Sequence, residues 1–334
     1  DLAFALKNIH LPSDHRSREA AFRRLVFDEL FILQLGLSLA KGSCGRPGSG
    51  IPFKLDKDFL TRVLKGLPFE LTDGQQEVMK EIWADMKTDI PMNRLIQGDV
   101  GSGKTVVAVL CMLIAVNNGY QTALMAPTEI LARQHYESVT RMTAGMDINT
   151  GLLTGSLTSS QRERLLEQLA GGQIDILVGT HAIIQDGVEF KRLGMIITDE
   201  QHRFGVRQRA IFAGKGQDPD VLVMSATPIP RTLAFILHGD LDISTIRQLP
   251  PGRKEIKTYV IDMNDYQRLV GFMKQEIKKG RQAYIVCPLI EASSHLDVLS
   301  VNDVYDLLTE DPFFDGITAV LHGRLSNIEK QDIM

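Results

Sequence analysis

A glycine-rich segment that ends in a lysine and a threonine carries the clearest chemistry of the sequence. Residues 98–105 read Gly-Asp-Val-Gly-Ser-Gly-Lys-Thr, which fits the pattern G-x-x-x-x-G-K-[ST] between an apolar stretch and a helical pattern. Its glycines let main-chain N–H groups turn toward phosphate oxygens, while the ammonium group of Lys104 reaches the β and γ phosphates and the hydroxyl of Thr105 binds Mg²⁺. The residues predicted to hold the phosphates and the metal are Gly98, Gly101, Ser102, Gly103, Lys104 and Thr105.

Two adjacent carboxylates, Asp199 and Glu200, follow an apolar strand pattern 95 positions beyond Lys104. Asp199 is predicted to enter the Mg²⁺ shell, and Glu200 is predicted to orient and activate the attacking water. Because one carboxylate serves the metal while the other serves water, the pair favours hydrolysis over phosphoryl transfer to a bound acceptor. Such a pair is commonly just a solvated strand end, but a phosphate-binding loop upstream favours the catalytic interpretation.

Two other segments each admit a structural and a functional interpretation. Residues 72–75 (TDGQ) form a capping box on the helix before the glycine-rich loop; alternatively, Gln75 reads the edge of adenine and thereby favours ATP. Residues 225–228 (SATP) either end a strand before a helix-initiating proline or place Ser225 and Thr227 where they couple the γ-phosphate to the rest of the molecule.

The elements that must position these residues follow an alternating pattern. Strands are predicted at 95–96, 122–125, 174–178, 195–197 and 221–224. Helices are predicted at about 73–87, 104–117, 129–142, 159–170 and 206–213. Such alternation predicts an α/β fold, with a parallel sheet and helices on both of its faces.

The pattern breaks at residues 249–253 (LPPGR), a plausible hinge, and then restarts. Beyond the hinge, strands are predicted at 256–261, 282–287 and 317–321, with helices at about 266–279 and 301–308. Before the sheet region, residues 13–39 show one long amphipathic helix, interpreted as a brace with a solvated arginine face rather than a nucleic-acid contact. The predicted organisation is a linker helix and flexible loop (1–50), a first lobe (51–249) and a second, incomplete lobe (250–334).

The composition excludes several other classes of protein. The chain has 334 residues with 37 Lys and Arg against 41 Asp and Glu, so any contact with a polyanion must be local. The longest apolar run, 106–116, is far shorter than the roughly 20 residues of a membrane span, and no secretion signal is recognisable. Cys44, Cys111 and Cys287 lie too far apart for a zinc site, and their odd number suits a reducing compartment. We therefore expect a cytoplasmic protein.

The motifs resemble those of the superfamily 2 helicases and translocases, and among them the bacterial RecG-type DNA helicases. The segments that carry the resemblance are PMNR (91–94), GDVGSGKT (98–105), APTEILA (126–132), GTHA (179–182), DEQHRFGV (199–206) and TPIPRTLA (227–234). It extends to residues 8–12, 249–253, 287–291 and 322–324, and so to nearly the whole chain. The transcription-repair coupling translocases are similar through the first lobe but usually carry other residues at Ser102, Gln201 and His202.

This resemblance implies two RecA-like lobes and an ATP-dependent, Mg²⁺-requiring motor that remodels branched or duplex DNA in recombination and repair, through fork regression and branch migration. It implies a monomer in the bacterial cytoplasm, whose protein partners the sequence does not indicate. Gln201 and His202 are expected to act beside Asp199 and Glu200 in linking hydrolysis to DNA. The residues expected to contact the DNA backbone are Thr128, Arg133, Gly155, Thr180 and His181. The alternative for Arg133 is a helix residue that merely faces solvent. The alternative for His181 is a histidine at a strand end whose polar atoms bond within the protein.

The chain also departs from the family pattern. An N-terminal wedge domain and the part of the second lobe whose arginines complete the ATP site are expected in the family and are not in this sequence. We therefore expect weak ATP hydrolysis by the chain, or a nucleotide-binding module without turnover. A P-loop kinase is a further alternative, but it would need an acceptor pocket and a lid in place of residues 199–202 and 225–227.

Overall fold

A computed structural model shows two compact units, residues 1–253 and 254–334. The described residues are 1–43, 48–185, 187–199, 218–226, 241–248, 256–262, 265–289, 299–325 and 327–333. Several predicted features lie outside these ranges, namely Glu200, Gln201, His202, Thr227, the helix at about 206–213 and the hinge at 249–253.

A seven-stranded parallel sheet forms the centre of the first unit, with the strand order β3-β4-β2-β5-β6-β1-β7. The strands are β1 (Asn93–Gly98), β2 (Gln121–Met125), β3 (Thr150–Leu153), β4 (Ile176–Gly179), β5 (Leu193–Asp199), β6 (Asp220–Ser225) and β7 (Asp242–Ile246). The parallel α/β fold predicted from the alternating pattern is confirmed. The strands β3 and β7 were not predicted, because each lies at an edge of the sheet and only partly buries its side chains.

Helices connect the strands and begin at recognisable capping residues. Within the described part of the first unit they are α1 (Leu2–His10), α2 (His15–Ser43), α3 (Lys57–Gly66), α4 (Asp73–Met86), α5 (Lys104–Asn117), α6 (Glu129–Met142) and α7 (Ser159–Gly171), with a 3₁₀ turn at His181–Ile184. Thr72, Thr128 and Thr158 each accept a hydrogen bond from a main-chain N–H in the first turn of α4, α6 and α7. No described helix is long and apolar enough to cross a bilayer.

Both faces of the sheet are covered by helices. Leu124 and Ile197 point to the side packed with α4 and α5, whereas their neighbours Ala123 and Ile196 point to the side packed with α7. Residues 107–115 of α5 are all buried, which is why this helix reads as a continuous apolar run. Alternate burial fixes the register of the strands, because a slip by one residue would exchange the two faces.

The helix predicted at the start of the chain is present as α2, but its apolar side chains remain largely in solvent. Phe22, Phe27 and Phe31 are each more than half exposed, and the rings of Phe27 and Phe31 stack with their centroids 5.7 Å apart. The helix α1, which contacts α2, was not predicted. Its nine residues are too few for a clear helical period to stand out in the sequence.

The second unit contains α8 (Tyr266–Lys278), α9 (Val301–Thr309) and α10 (Asn327–Ile333), with a small apolar cluster between the first two. The three strands predicted in this unit are wrong for its described residues, which show irregular backbone at 256–262, 281–287 and 318–322. Their composition favours strands, yet Val260 is 99% and Val286 is 92% exposed. A strand is stable only when a neighbour satisfies its N–H and C=O groups, and sequence composition alone does not provide that neighbour.

Candidate functional site

The carboxyl ends of β1, β6 and β5 bring the predicted nucleotide residues to one edge of the sheet. In the register of β5 with β6, Asp199 pairs with Met224, and in that of β6 with β1, Ser225 pairs with Gln97. Because all three strands are parallel, Asp199, Ser225 and the loop that starts at Gly98 leave the sheet in the same direction. This edge is where ligands of open α/β sheets bind.

The glycine-rich loop is a tight cradle that larger residues would not fit. Gly101 and Gly103 have φ of +78° and +86°, in the left-handed region that glycine adopts at least cost. A Cβ atom at Gly98 would lie 2.6 Å from Oγ of Ser102. Ser102 is fully buried, and its hydroxyl has no hydrogen-bond partner among the described residues. A closely packed, glycine-rich loop with a buried hydroxyl that lacks a described partner suits a bound phosphate chain.

Lys104 and the start of α5 supply the positive charge of this cradle. Gly103 caps α5, so the N-terminal end of this helix, which begins at Lys104 and carries the positive end of the helix dipole, lies at the loop. The ammonium Nζ of Lys104 donates to the carbonyl oxygens of Gly98 and Asp99, at 2.8 and 3.0 Å. The lysine therefore spans its own loop at the position where the phosphate oxygens of a nucleotide are expected.

Gln75 takes part in the capping box and also reaches the loop. Its Oε1 accepts from the main-chain N–H of Thr72 at 2.9 Å, and its main-chain N–H donates to Oγ1 of Thr72 at 3.3 Å. Its Nε2 donates to the carbonyl oxygen of Ser102 at 2.8 Å. Since both polar atoms of the amide are engaged and the residue is 3% exposed, Gln75 joins α4 to the phosphate-binding loop in this structure. The capping interpretation is therefore seen directly, and a contact with adenine stays a prediction.

The carboxylate of Asp199 contacts a histidine that sequence reasoning missed. Nε2 of His135, on α6, lies 2.6 Å from Oδ2 of Asp199. In the sequence, His135 belongs to a buried stripe with Ala132 and Val139 and looks like an ordinary core residue. The one feature of the sequence that could have indicated its contact with Asp199 is that α6 directly follows β2, the strand next to β5.

Mg²⁺ that accompanies a nucleotide is bound by oxygen atoms of side chains and of the phosphates. The hydroxyl of Thr105 at the start of α5 and the carboxylate of Asp199 at the end of β5 provide such ligands. Next to Asp199, the buried hydroxyl of Thr198 has no partner among the described residues. The residues present therefore fit magnesium, with Thr105 and Asp199 as the side chains that would hold it.

The five residues predicted to contact a polynucleotide backbone come from three neighbouring strands. Thr128 follows β2 and caps α6, Gly155 follows β3, and Thr180 and His181 follow β4. Because the strand order begins β3-β4-β2, these residues share one end of the sheet's carboxyl edge. The main-chain N–H of Thr180 also donates to the carbonyl oxygen at the end of β3, which ties the two loops together.

Arg133 points across this part of the edge. Its guanidinium donates to Oγ of Ser156 at 3.2 Å, and that oxygen lies 3.0 Å from Oγ1 of Thr154. Gly155, between the two, would place a Cβ atom 3.0 Å from Oε1 of Glu129. Hydroxyls, an exposed imidazole and a guanidinium thus lie at the carboxyl ends of the neighbouring strands β3, β4 and β2, and such groups grip phosphodiesters without reading bases.

Comparison with known proteins finds similarity to DNA helicases. Residues 72–236 match the family model described as DEAD/DEAH box helicase. Over 99% of its length the chain is 48% identical to the ATP-dependent DNA helicase RecG of Bacillus subtilis (strain 168) and 45% identical to that of Thermotoga maritima, of which it covers 48% and 42%. The solved structure of RecG bound to a three-way DNA junction matches 92% of this chain and 40% of that one, with a TM-score of 0.79 and 42% identity. The chain thus spans about half the length of the curated relatives it matches.

Proposed function

Because the chain is similar over nearly its whole length to RecG helicases, we propose that it belongs to the RecG-type superfamily 2 helicases and is part of an ATP-dependent DNA motor that remodels branched DNA. The remodelling we propose includes regression of stalled replication forks and migration of Holliday junctions, in recombination and repair. The observation that carries the proposal is the shared edge of β1, β6 and β5, where a phosphate cradle meets a carboxylate, in a chain 48% identical to RecG.

In this mechanism, Lys104 exchanges its two carbonyl partners for the β and γ phosphates of ATP. The N–H groups of the loop and of the α5 N-terminus bind the remaining phosphate oxygens. Thr105 and Asp199 would hold Mg²⁺, which would supply positive charge beside the phosphates. Glu200 accepts a proton from the attacking water, and its neighbours Gln201 and His202 respond to the loss of the γ phosphate.

The position of Ser225 supports a role in coupling to DNA. This residue ends β6, which lies between β1, the strand that leads to the glycine-rich loop, and β5, the strand that ends in Asp199. We propose that Ser225 and Thr227 transmit the nucleotide state to the surface formed by Thr128, Arg133, Gly155, Thr180 and His181. That surface offers backbone contacts, so the motor recognises the shape of DNA rather than its sequence.

The relatives also support proposals about organisation and location. We propose a first RecA-like lobe at 51–249 preceded by a linker helix, a second lobe that starts at about residue 250, and a monomer acting in the bacterial cytoplasm. The named relatives come from bacteria, where ATP and chromosomal DNA share one compartment. Light scattering during size-exclusion chromatography, with and without DNA, tests the proposed monomer.

Phosphate release measured with forked DNA, with linear duplex and without DNA tests the function. We expect weak release that forked DNA stimulates most and that Lys104→Ala abolishes. Phosphate transfer to a small acceptor would instead support a kinase, and nucleotide binding without release would support a module without turnover. Unchanged release in Lys104→Ala would show that the hydrolytic site lies elsewhere.

A further inference from the structure

His135 holds one oxygen of the carboxylate that is expected to bind magnesium. The contact joins Nε2 of His135 to Oδ2 of Asp199 over 2.6 Å, across 64 positions of sequence. Only 11% of the His135 side chain and 17% of the Asp199 side chain are exposed. The fold therefore sets this contact, since neither side chain is free to move in solvent.

The buried face of α6 delivers the imidazole to this place. Ala132, His135 and Val139 share that face, at the spacings of three and four residues that a packed helix shows. The helix starts shortly after β2, whose last residue, Met125, pairs with Thr198, the neighbour of Asp199. Asp199 thus gives the ring a polar partner that its apolar neighbours on α6 cannot give.

The chemistry of the contact determines what it can do. A carboxylate oxygen accepts a hydrogen bond, so the hydrogen belongs to Nε2 of His135. One hydrogen bond to Oδ2 restricts rotation of the carboxylate and thereby sets the direction of its second oxygen, Oδ1. Carboxylates that bind metals are generally held by such a second residue, and its removal typically lowers metal affinity or activity about 10- to 100-fold.

We propose that His135 is a positioning residue for magnesium: it orients the carboxylate of Asp199 toward the metal that accompanies the nucleotide. The inference rests on the proposed function, because it requires a nucleotide with its metal at this edge of the sheet. The competing explanation is a histidine that merely fills the core and satisfies its own polar atom. In the first explanation metal binding depends on the N–H donor of residue 135, whereas in the second only the packing of that side chain matters.

Nucleotide affinity measured with and without metal separates these explanations. A fluorescent ADP analogue is titrated into the full chain in EDTA and then in Mg²⁺, and electron paramagnetic resonance of Mn²⁺ reports metal binding directly. The variants are His135→Leu, which removes the donor, and His135→Gln, whose Nε2 lies as many bonds from Cβ as that of histidine. His135→Asn carries a donor that is too short to reach, and Val139→Ala is a packing control on the same face of α6.

We expect His135→Leu and His135→Asn to keep the affinity for the analogue in EDTA and to weaken Mn²⁺ binding by about 10-fold or more. His135→Gln should recover most of that loss. Val139→Ala should lower the unfolding midpoint without changing Mn²⁺ binding. If His135→Leu does not fold, the difference in Mn²⁺ affinity between His135→Gln and His135→Asn still separates the two explanations.

Three results would overturn the inference. Wild-type Mn²⁺ affinity in His135→Leu would show that the contact is unimportant for metal binding. Equal losses in the Gln and Asn variants, or a matching loss in Val139→Ala, would show that packing alone matters. A wild-type chain that binds no nucleotide in either condition would refute the proposed function and this inference with it, whereas nucleotide binding with an unaffected Leu variant refutes the inference alone.

Discussion

Nε2 of Gln75 donates a hydrogen bond to the carbonyl oxygen of Ser102 over 2.8 Å, so the first turn of α4 is tied to the middle of the phosphate-binding loop. The same amide accepts from Thr72, which makes Gln75 a bridge between a helix cap and the loop. A second residue extends the connection, because Oε1 of Gln248, two residues beyond β7, accepts from the main-chain N–H of Gly74 at 3.0 Å. The start of α4 therefore joins the loop to the segment that leads out of the first unit.

Replacing Gln75 by alanine should affect both stability and nucleotide binding. The change leaves the buried carbonyl oxygen of Ser102 without its partner, at a cost of about 1–3 kcal/mol, and frees the loop to move. Thr72→Ala is the matched control, because it removes the cap, worth about 1 kcal/mol, but leaves the contact to Ser102. Urea unfolding and nucleotide titration of both variants check this. Equal nucleotide affinities in the two variants would contradict the bridging role.

Gly103→Ala should abolish nucleotide binding. Its φ of +86° is a conformation that costs other residues about 1–2 kcal/mol, and its Cβ atom would lie 2.1 Å from Nε2 of Gln75. Gly172→Ala carries the same backbone cost at φ +77°, but its Cβ atom meets only the flexible side chain of Lys191. Gly103→Ala should lose more stability than Gly172→Ala, because its Cβ atom also displaces the buried amide of Gln75, and isothermal titration with ADP should show a loss of binding in the first alone. Retained binding in Gly103→Ala would exclude the loop as the phosphate site.

Glu200→Gln should stop hydrolysis while leaving ATP binding within about twofold of the wild type. The amide keeps the size of the side chain but cannot take a proton from water, and a general base typically contributes about 10²–10⁴-fold to a rate. Single-turnover phosphate release and equilibrium binding of ATP measure the two effects separately. Loss of ATP affinity would mean that Glu200 binds the nucleotide or its metal instead.

Arg133→Ala should weaken binding to duplex DNA at all sequences. Loss of one phosphate contact lowers the slope of log affinity against log salt by about 1. Arg141→Ala is the control, since this exposed residue lies in the last turn of the same helix, α6, at the end away from the strand edge. Fluorescence anisotropy with a labelled duplex over a series of salt concentrations gives both slopes. Identical slopes for the two variants would remove Arg133 from the DNA surface.

Stability should fall as pH rises from about 4 to 7 because of Asp220. Burial raises the pKa of this carboxyl to about 7, an effect that a hydrogen bond from the N–H of Met92 opposes and the charge of Asp85 strengthens. The folded chain therefore keeps a proton that the unfolded chain has lost in this range, a contribution of no more than about 4 kcal/mol. Asp220→Asn, which cannot ionise, should flatten this part of the pH dependence. Urea unfolding of both proteins at about pH 5 and pH 7.5 measures it, and parallel curves would contradict the prediction.

Local patterns were enough to predict the central part of the fold. The apolar runs that became β2, β5 and β6 are fully or nearly buried, the predicted cap at Thr72 starts α4, and α7 starts at Ser159 as predicted. The glycines of the phosphate loop were identified from spacing alone, since spacing controls how the backbone turns. These features depend on residues within a few positions of one another, and sequence shows such relationships directly.

Contacts between distant positions could not be predicted in this way. His135 and Asp199 meet only because β2 and β5 are neighbours in the sheet, and Gln75 reaches Ser102 only because α4 packs beside the loop. Gln75 shows this limit of prediction from sequence most clearly. Its capping role was visible in the sequence, whereas its hydrogen bond to the carbonyl oxygen of Ser102 was not. The strand predicted at 256–261 is absent from the described residues for the same reason, because β-forming side chains such as that of Val260 do not indicate which strand would lie alongside.

The place of β6 between β1 and β5 has a consequence for synthesis on the ribosome. Lys104 emerges long before the site can close, because Asp220–Ser225 must still insert between β1, which leads to Lys104, and β5, which ends in Asp199. At about 5–20 residues per second, roughly 6–24 s separate translation of Lys104 from that of Ser225. During this interval ATP cannot protect the nascent chain, so arrested chains that end before Asp220 should be digested by protease equally fast with and without nucleotide. Protection should begin only after the whole of β6 has left the exit tunnel.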